Sequence, residues 1–220
     1  MVTEVTDVTE EYLEAIYRLQ QQGGVARTNE IVKMLRVVPG TVTNTMKRLQ
    51  RDRLITRKPY RGVKLTEKGL RIALDVIRRH RLSERLLTDI LKVKWAEAHE
   101  AACGIEHGLT ESIISNLERV LGHPTTCPHG NPIPTKSGDI IEEESKVLTH
   151  LNPQERGVIK KIEHEESDIL RYLNTLNLKP GTLVKVIEKA PFNGPITIAV
   201  NGKTLALGRN ITTKIWIRKE

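Results

Sequence analysis

His99, Cys103, Glu106 and His107 stand at i, i+4, i+7 and i+8, a spacing that lines up one face of a helix. A second pair, His80 and Glu84, repeats the i, i+4 interval upstream. Imidazole, thiolate and carboxylate donors on converging helices suit a first-row transition metal. A lone His or Cys is more often an ordinary core residue, but four donors on one stripe, with a further pair nearby, favour a metal centre. Structural zinc sites usually offer more thiolates at shorter spacing. The mixed N/O/S set therefore suits Fe(II), Mn(II), Co(II) or Ni(II) at least as well as Zn(II).

The elements that must position these donors are legible around them. Apolar residues at 12, 13, 16, 17 and 19 predict a first helix that Gly23-Gly24 stops. A short helix follows over 28–35 with Thr28 as N-cap, then a break at Val38-Pro39-Gly40 and a third helix over 41–52. Strand-like runs at 54–58 and 63–65 flank the turn Pro59-Tyr60-Arg61-Gly62, and Thr66-Glu67-Lys68-Gly69 opens a long helix towards Leu91. That order predicts a winged helix-turn-helix. Helices over 95–108 and 110–121 are expected next, then a loop or tail over 122–138. Beyond residue 157, short β-rich runs at 158–162, 183–188, 196–200, 204–206 and 214–217 predict a small barrel with one helix at 167–176. The fold class is thus mainly α over the first two-thirds, followed by a small all-β barrel.

The 220 residues carry 35 Lys+Arg against 27 Asp+Glu, a formal charge of +8. Residues 26–85 alone hold 17 basic against 5 acidic groups, so the excess is local and points to a polyanion partner. Seven aromatic residues are too few for a base-stacking platform. No apolar run approaches a membrane span and no signal-peptide core opens the chain, so no membrane partner is expected. Two cysteines make no disulfide framework, which points to a reducing, cytoplasmic setting.

The sequence resembles the iron-dependent repressors of the diphtheria toxin repressor type and their manganese-transport-regulator relatives. The resemblance is carried by Thr9–Tyr17, the winged helix, His80-Arg81-Leu82-Ser83-Glu84-Arg85, residues 99–107 and Cys127-Pro128-His129-Gly130-Asn131-Pro132-Ile133-Pro134. Leu178–Gly181 with Ala190–Ile196 looks like the Src homology 3-like domain of such regulators. By position, the resemblance implies that Cys103, Glu106 and His107 form a primary metal site. Its fourth ligand, Met in iron-type and Asp in manganese-type members, is Glu11 here. His80, Glu84 and His99 match an ancillary site completed from the C-terminal domain, where Glu163, His164 and Glu166 lie in the right stretch with the register open. Glu14 matches a further manganese-type ligand, against the alternative of a plain helix surface. Glu11 is harder than Met and leans towards Mn(II), whereas Cys103 leans back. Fe(II) is the expected activator and Mn(II) its close rival.

The implied protein is a homodimeric, metal-activated repressor of metal-uptake genes that binds operator DNA. Thr41, Thr43 and Asn44 would face base edges, with Pro39 and Gly40 shaping the turn and Thr28 at the neighbouring helix start. Lys47, Arg48, Arg57, Lys58 and Arg61 would hold phosphates. The stripe Leu109, Ile113, Ile114, Leu117, Val120 and Leu121 is the expected two-fold interface, against the alternative of packing inside the monomer. The expected domains are 1–75 (DNA-binding), 76–138 (metal-binding and dimerisation), a linker at 139–153, and 154–220 (Src homology 3-like). Alternatives are a constitutive winged-helix DNA-binding protein with a structural metal, or a metalloenzyme. For the last there is no HExxH, P-loop, GxGxxG or nucleophile elbow, and an enzyme is not expected.

Overall fold

The computed structural model describes residues 5–58, 62–163 and 165–220, with Lys58 described by its backbone alone. Two compact units emerge: Met1–Arg79 with Pro134–Asp139, and His80–Ile133 with Ile140–Glu220.

In the first unit, α1 (Asp7–Gly23) begins where the Thr6 hydroxyl accepts the Thr9 N–H, and it ends at left-handed Gly24. Its buried face, Tyr12, Leu13, Ile16 and Leu19, meets Ile31 of α2 (Thr28–Leu35) and Val42, Met46 and Leu49 of α3 (Pro39–Arg51). Thr28 is the first helical residue rather than the N-cap; the preceding Arg27 N–H donates to the Glu30 carboxylate at 2.8 Å. Helix α3 starts two residues before the expected Thr41, because proline at the first helical position has a suitable fixed φ and lacks only an N–H that needs no partner there. Strands β1 (Ile55–Lys58) and β2 (Gly62–Leu65) pair antiparallel with Arg57 opposite Val63, and Ala26 pairs with Val63 from the other side. Gly62, at φ +93, permits that approach: a Cβ would lie 2.7 Å from the Ala26 carbonyl oxygen. Helix α4 (Glu67–Arg85) then completes a winged helix-turn-helix. The expected wing-tip residue Arg61 lies outside the described residues.

The last turn of α4 opens the second unit and runs on as a π-helical turn, Leu86–Ile90. The helix expected over 95–108 is two pieces, α5 (Ala98–Cys103) and a 3-10 turn, Glu106–Gly108. Gly104 and β-branched Ile105 interrupt it. On α6 (Glu111–Val120), Ile114 and Leu117 pack with Leu82 and Ile133, flanked by Leu109 and Leu121. Only Ile113 and Val120 of the expected interface stripe face outward.

The C-terminal strands are β3 (Lys146–Val147), β4 (Arg156–Ile162), β5 (Leu183–Lys189), β6 (Ile196–Val200), β7 (Lys203–Leu207) and β8 (Ile215–Lys219). They form one antiparallel sheet in the order β3-β8-β4-β5-β6-β7. The expected barrel is thus an open, Src homology 3-like sheet, with β3 and β7 at its edges. Bulges at Lys160 and Ile187 curve it around Ile159, Val184, Ile198 and Ile217, covered by Leu170 and Leu173 of α7 (Ser167–Thr175). A short α8 (Arg209–Thr212) precedes β8. Part of the expected linker belongs to this unit, since β3 pairs with β8 and Leu148 and Leu151 are fully buried in its core. No helix among the described residues is long and apolar enough to cross a membrane.

Candidate metal centre

His80 sits at the middle of the donor cluster, wholly buried on α4. Its Nδ1 contacts the Glu106 carboxylate and lies 4.0 Å from Cys103 Sγ. Its Nε2 lies 2.9 Å from His99 Nδ1 and 3.1 Å from Glu84 Oε1. The same Glu84 oxygen is 3.1 Å from His99 Nδ1. His107 Nε2 is 3.4 Å from Glu106 Oε1. One imidazole thus touches both ligand sets that the sequence separates: Cys103, Glu106 and His107 on one side, Glu84 and His99 on the other. The interruption after Cys103 turns the buried Glu106 carboxylate to His80. Glu11 is exposed on α1 in the first unit.

Three further donors come from segments without helical periodicity. Cys127 and His129 lie in a tight turn inside the expected loop, and Glu165 lies between β4 and α7. All three are buried. His129 Nδ1 is 3.2 Å from Glu84 Oε1 and 3.4 Å from Glu165 Oε1. Cys127 Sγ donates to Glu165 Oε1 at 3.5 Å, and Glu165 Oε2 lies 3.6 Å from His99 Nδ1. Asn131 Nδ2 holds Glu165 Oε1 at 2.7 Å. Of the expected C-terminal ligands, Glu163 pairs with Lys161 and Glu166 with Lys214. In this extended stretch Glu165 alone turns inward; His164 lies outside the described residues. Glu14 does not remain a free ligand, because Arg18 grips its carboxylate at 2.7 and 2.9 Å.

The Cys127 turn is built tightly. Gly130 N–H donates to Cys127 O, Cys127 N–H to Asn131 O, and Ile162 N–H to His129 O. Trp95 Nε1 donates to Pro128 O and His129 Nε2 to Trp95 O, which leaves His129 Nδ1 aimed at the carboxylates. Gly130 has φ +86, and a Cβ there would overlap the Lys160 carbonyl and lie 2.8 Å from Lys161 Cα. Gly130→Ala is therefore expected to cost about 1–3 kcal/mol in conformational strain alone, with the overlap adding to it. Thermal unfolding of the metal-free protein would register the loss, and zinc competition titrations a weakened cluster.

Electrostatics mark the cluster as a place for cations. Burial opposes a charged His80, but Glu84 and hydrogen bonds from Cys103 and Glu106 overcome it and hold the imidazole protonated well above its ordinary range. Burial equally disfavours ionised Glu84, yet His80, His129 and His99 hold it well below the carboxylate range. Glu165 is lowered by His129 and His99 against its own burial and the nearby Glu84 charge. His129 is raised, its burial outweighed by Cys127, Glu165 and Glu84. Burial, reinforced by Glu84 and Glu165, pushes the Cys127 thiol up to about 12. Glu84 Oε2 is buried with no hydrogen-bond partner, and His129 Nδ1 lies close to two carboxylates without a well-directed bond. Orphaned donor atoms in a buried N/O/S set fit a divalent transition ion, which would replace the protons.

In the first unit, α3 buries Val42, Thr45, Met46 and Leu49 and leaves Pro39, Thr41, Asn44 and Lys47 exposed. Thr43 is half-buried and its hydroxyl donates to Pro39 O at 3.0 Å. Half-buried Arg48 reaches Thr9 Oγ1 at 3.4 Å. Arg57 is exposed on β1, and Thr28 is half-buried at the start of α2.

Comparison with known proteins places this architecture. Residues 4–63 match the iron dependent repressor N-terminal DNA binding domain. Residues 66–135 match the iron dependent repressor metal binding and dimerisation domain, and residues 146–219 the FeoA domain. The iron-dependent repressor IdeR of Mycobacterium tuberculosis (strain ATCC 25618 / H37Rv) is 42% identical over 213 residues, covering 91% of this chain and 92% of that protein. The chain belongs to the iron-dependent repressor family. Among solved structures, T. acidophilum IdeR is 31% identical with a TM-score of 0.83, covering 100% of this chain and 99% of that one. A manganese-dependent transcriptional repressor in complex with manganese is 26% identical with a TM-score of 0.87, covering 96% of this chain and 100% of that one. Membership of a repressor family sets the metalloenzyme reading aside.

Proposed function

We propose that this chain is a cytoplasmic, homodimeric transcriptional repressor that binds operator DNA of metal-uptake genes when loaded with Fe(II), with Mn(II) as the rival activator. The observation that carries the reading is His80, which joins the Cys103–Glu106 donors to the Glu84–His99 donors in one buried cluster. In this reading Glu11, Cys103, Glu106 and His107 hold the activating ion, and Glu84, His99 and Glu165 surround the other side of His80. A divalent ion supplies the positive charge that fixes these donors in one arrangement. His80 anchors Glu106 through Nδ1, and Asn131 fixes the rotamer of Glu165. Fe(II) is favoured by Cys103, a softer donor than a carboxylate, while Glu11 keeps Mn(II) competitive.

Asn44 and Thr41 project from α3 towards base edges, and Lys47 and Arg57 hold phosphates. The exposed Ile113 and Val120 contribute to the two-fold contact that spaces two recognition helices. The test is operator binding with and without Fe(II) under anaerobic conditions. Binding that tightens with Fe(II) and falls steeply with salt is expected. Equal affinity in both conditions would leave a constitutive DNA-binding protein.

Metal uptake is also expected to release protons. His80 and His129 carry protons at neutral pH and Cys127 is a thiol, so coordination must displace them. Groups protonated when free and deprotonated when bound make affinity rise with pH throughout the range below their raised pKa values. Calorimetry in buffers of different ionisation heats should register more than one proton released per ion, and about one fewer in Cys127→Ala. Affinity independent of pH between about 6 and 8 would contradict this.

A further inference from the structure

We infer that the buried cluster is a two-ion centre, with Glu84 and Glu165 bridging an ion held by His80 and His99 to a second held by Cys127 and His129. The inference rests on the metal-dependent reading above and extends it. Among the described residues these donors form two quartets, His80–Glu84–His99–Glu165 and Glu84–Cys127–His129–Glu165, each with its ligand atoms within 4.8 Å of one another. The quartets share both carboxylates and nothing else.

The geometry of Glu165 separates the halves. Its Oε2 faces His99, at 3.6 Å, while its Oε1 faces His129 and Cys127, at 3.4 and 3.5 Å. A carboxylate with one oxygen on each side bridges two ions rather than chelating one. Asn131 holds it in that orientation. Glu84 occupies the middle: its Oε1 lies 3.1–3.2 Å from His80, His99 and His129, and its Oε2 has no partner. A tetrahedral site with bonds near 2.0–2.1 Å has donor-to-donor edges of about 3.3 Å, and the separations here span 2.9–3.6 Å. Each half reaches four donors only if both carboxylates serve both ions. Glu84, Glu165 and the Cys127 thiolate then set three negative charges between and around two divalent ions, which permits a separation of about 3.5–4 Å.

The test uses the full chain loaded with zinc. An anomalous difference map at the zinc edge is expected to show two peaks about 3.5–4 Å apart between Glu84 and Glu165. His129→Ala should remove the peak beside Cys127 and keep the other, and His99→Ala the reverse. In a Cys103→Ala background, which weakens the separate activating site, desalted protein should retain two zinc ions per chain and fall to one in either histidine variant. A single peak between the two carboxylates in the unmodified chain would overturn the inference. It would leave the regulator reading untouched, because that reading fails only if wild-type operator binding ignores metal.

Discussion

In Cys103→Ala, operator binding is expected to lose its response to Fe(II). A ligand whose effect rests on stabilising one arrangement shifts an equilibrium only by its differential affinity, typically about 1–3 kcal/mol or 5–150-fold. Wild-type protein should gain that factor on metal addition, and the variant close to none. Cys103 is the exposed donor of its set and packs nothing, so the loss is not an unfolding effect. His80 orients Glu106 and also faces Glu84 and His99, so His80→Ala should impair both halves of the centre and lower chain stability. Glu11→Met, with Cys103 intact, should weaken the Mn(II) response relative to the Fe(II) response, since a thioether is a poorer partner for the harder ion. Fluorescence anisotropy on a labelled operator, titrated with each metal, distinguishes these outcomes. Metal responses alike in wild type and Cys103→Ala would place activation elsewhere.

Asn44→Ala is expected to cost about 1–3 kcal/mol on the specific operator and to relax base preference at one position in each half-site. Asn44 is exposed on α3, whose opposite face is held by Val42, Met46 and Leu49, so its side chain is available without disturbing the core. Arg57→Ala should instead weaken binding to all sequences alike and flatten the salt dependence. The two substitutions therefore differ in kind: one changes which duplex is chosen, the other how tightly any duplex is held. Retained discrimination in Asn44→Ala would move base reading off α3.

Much of this architecture can be read from the chain, for identifiable reasons. The winged helix is legible because short amphipathic helices, a proline start and glycine stops leave strong local signals, as at Gly24 and Pro39. His80, Glu84, His99 and Cys103 are legible because ligand pairs on helices recur at one turn. The residues beyond Cys103 obey a different rule, since Gly104 and Ile105 end the helix and a 3-10 turn sets Glu106. Cys127 and His129 carry no periodicity; the only local signals are the Cys-x-His spacing and a glycine that must be left-handed. In the segment after β4, neighbouring side chains point to opposite sides, so a register error of one residue exchanges Glu165 for Glu166. The Glu14 pairing could have been foreseen, because Arg18 stands four residues on, where helical ion pairs form. The apolar stripe of α6 divides between inside and outside because an amphipathic face does not reveal which partner it meets.

Glu165 lies about 85 positions along the chain from His80, yet both reach one cluster. An ion joining them is a cross-link, and a cross-link acts on the unfolded chain as well as on the native one. Closing a loop of that length removes on the order of 4–5 kcal/mol of unfolded-chain entropy in the ideal limit, and clips that span long loops gain most from this effect. Metal scarcity then does more than release DNA. It uncouples the helical half of the second unit from its sheet half and lowers the free energy of opening between them. Proteases act on such opened forms, so the lifetime of the chain becomes a second record of metal supply.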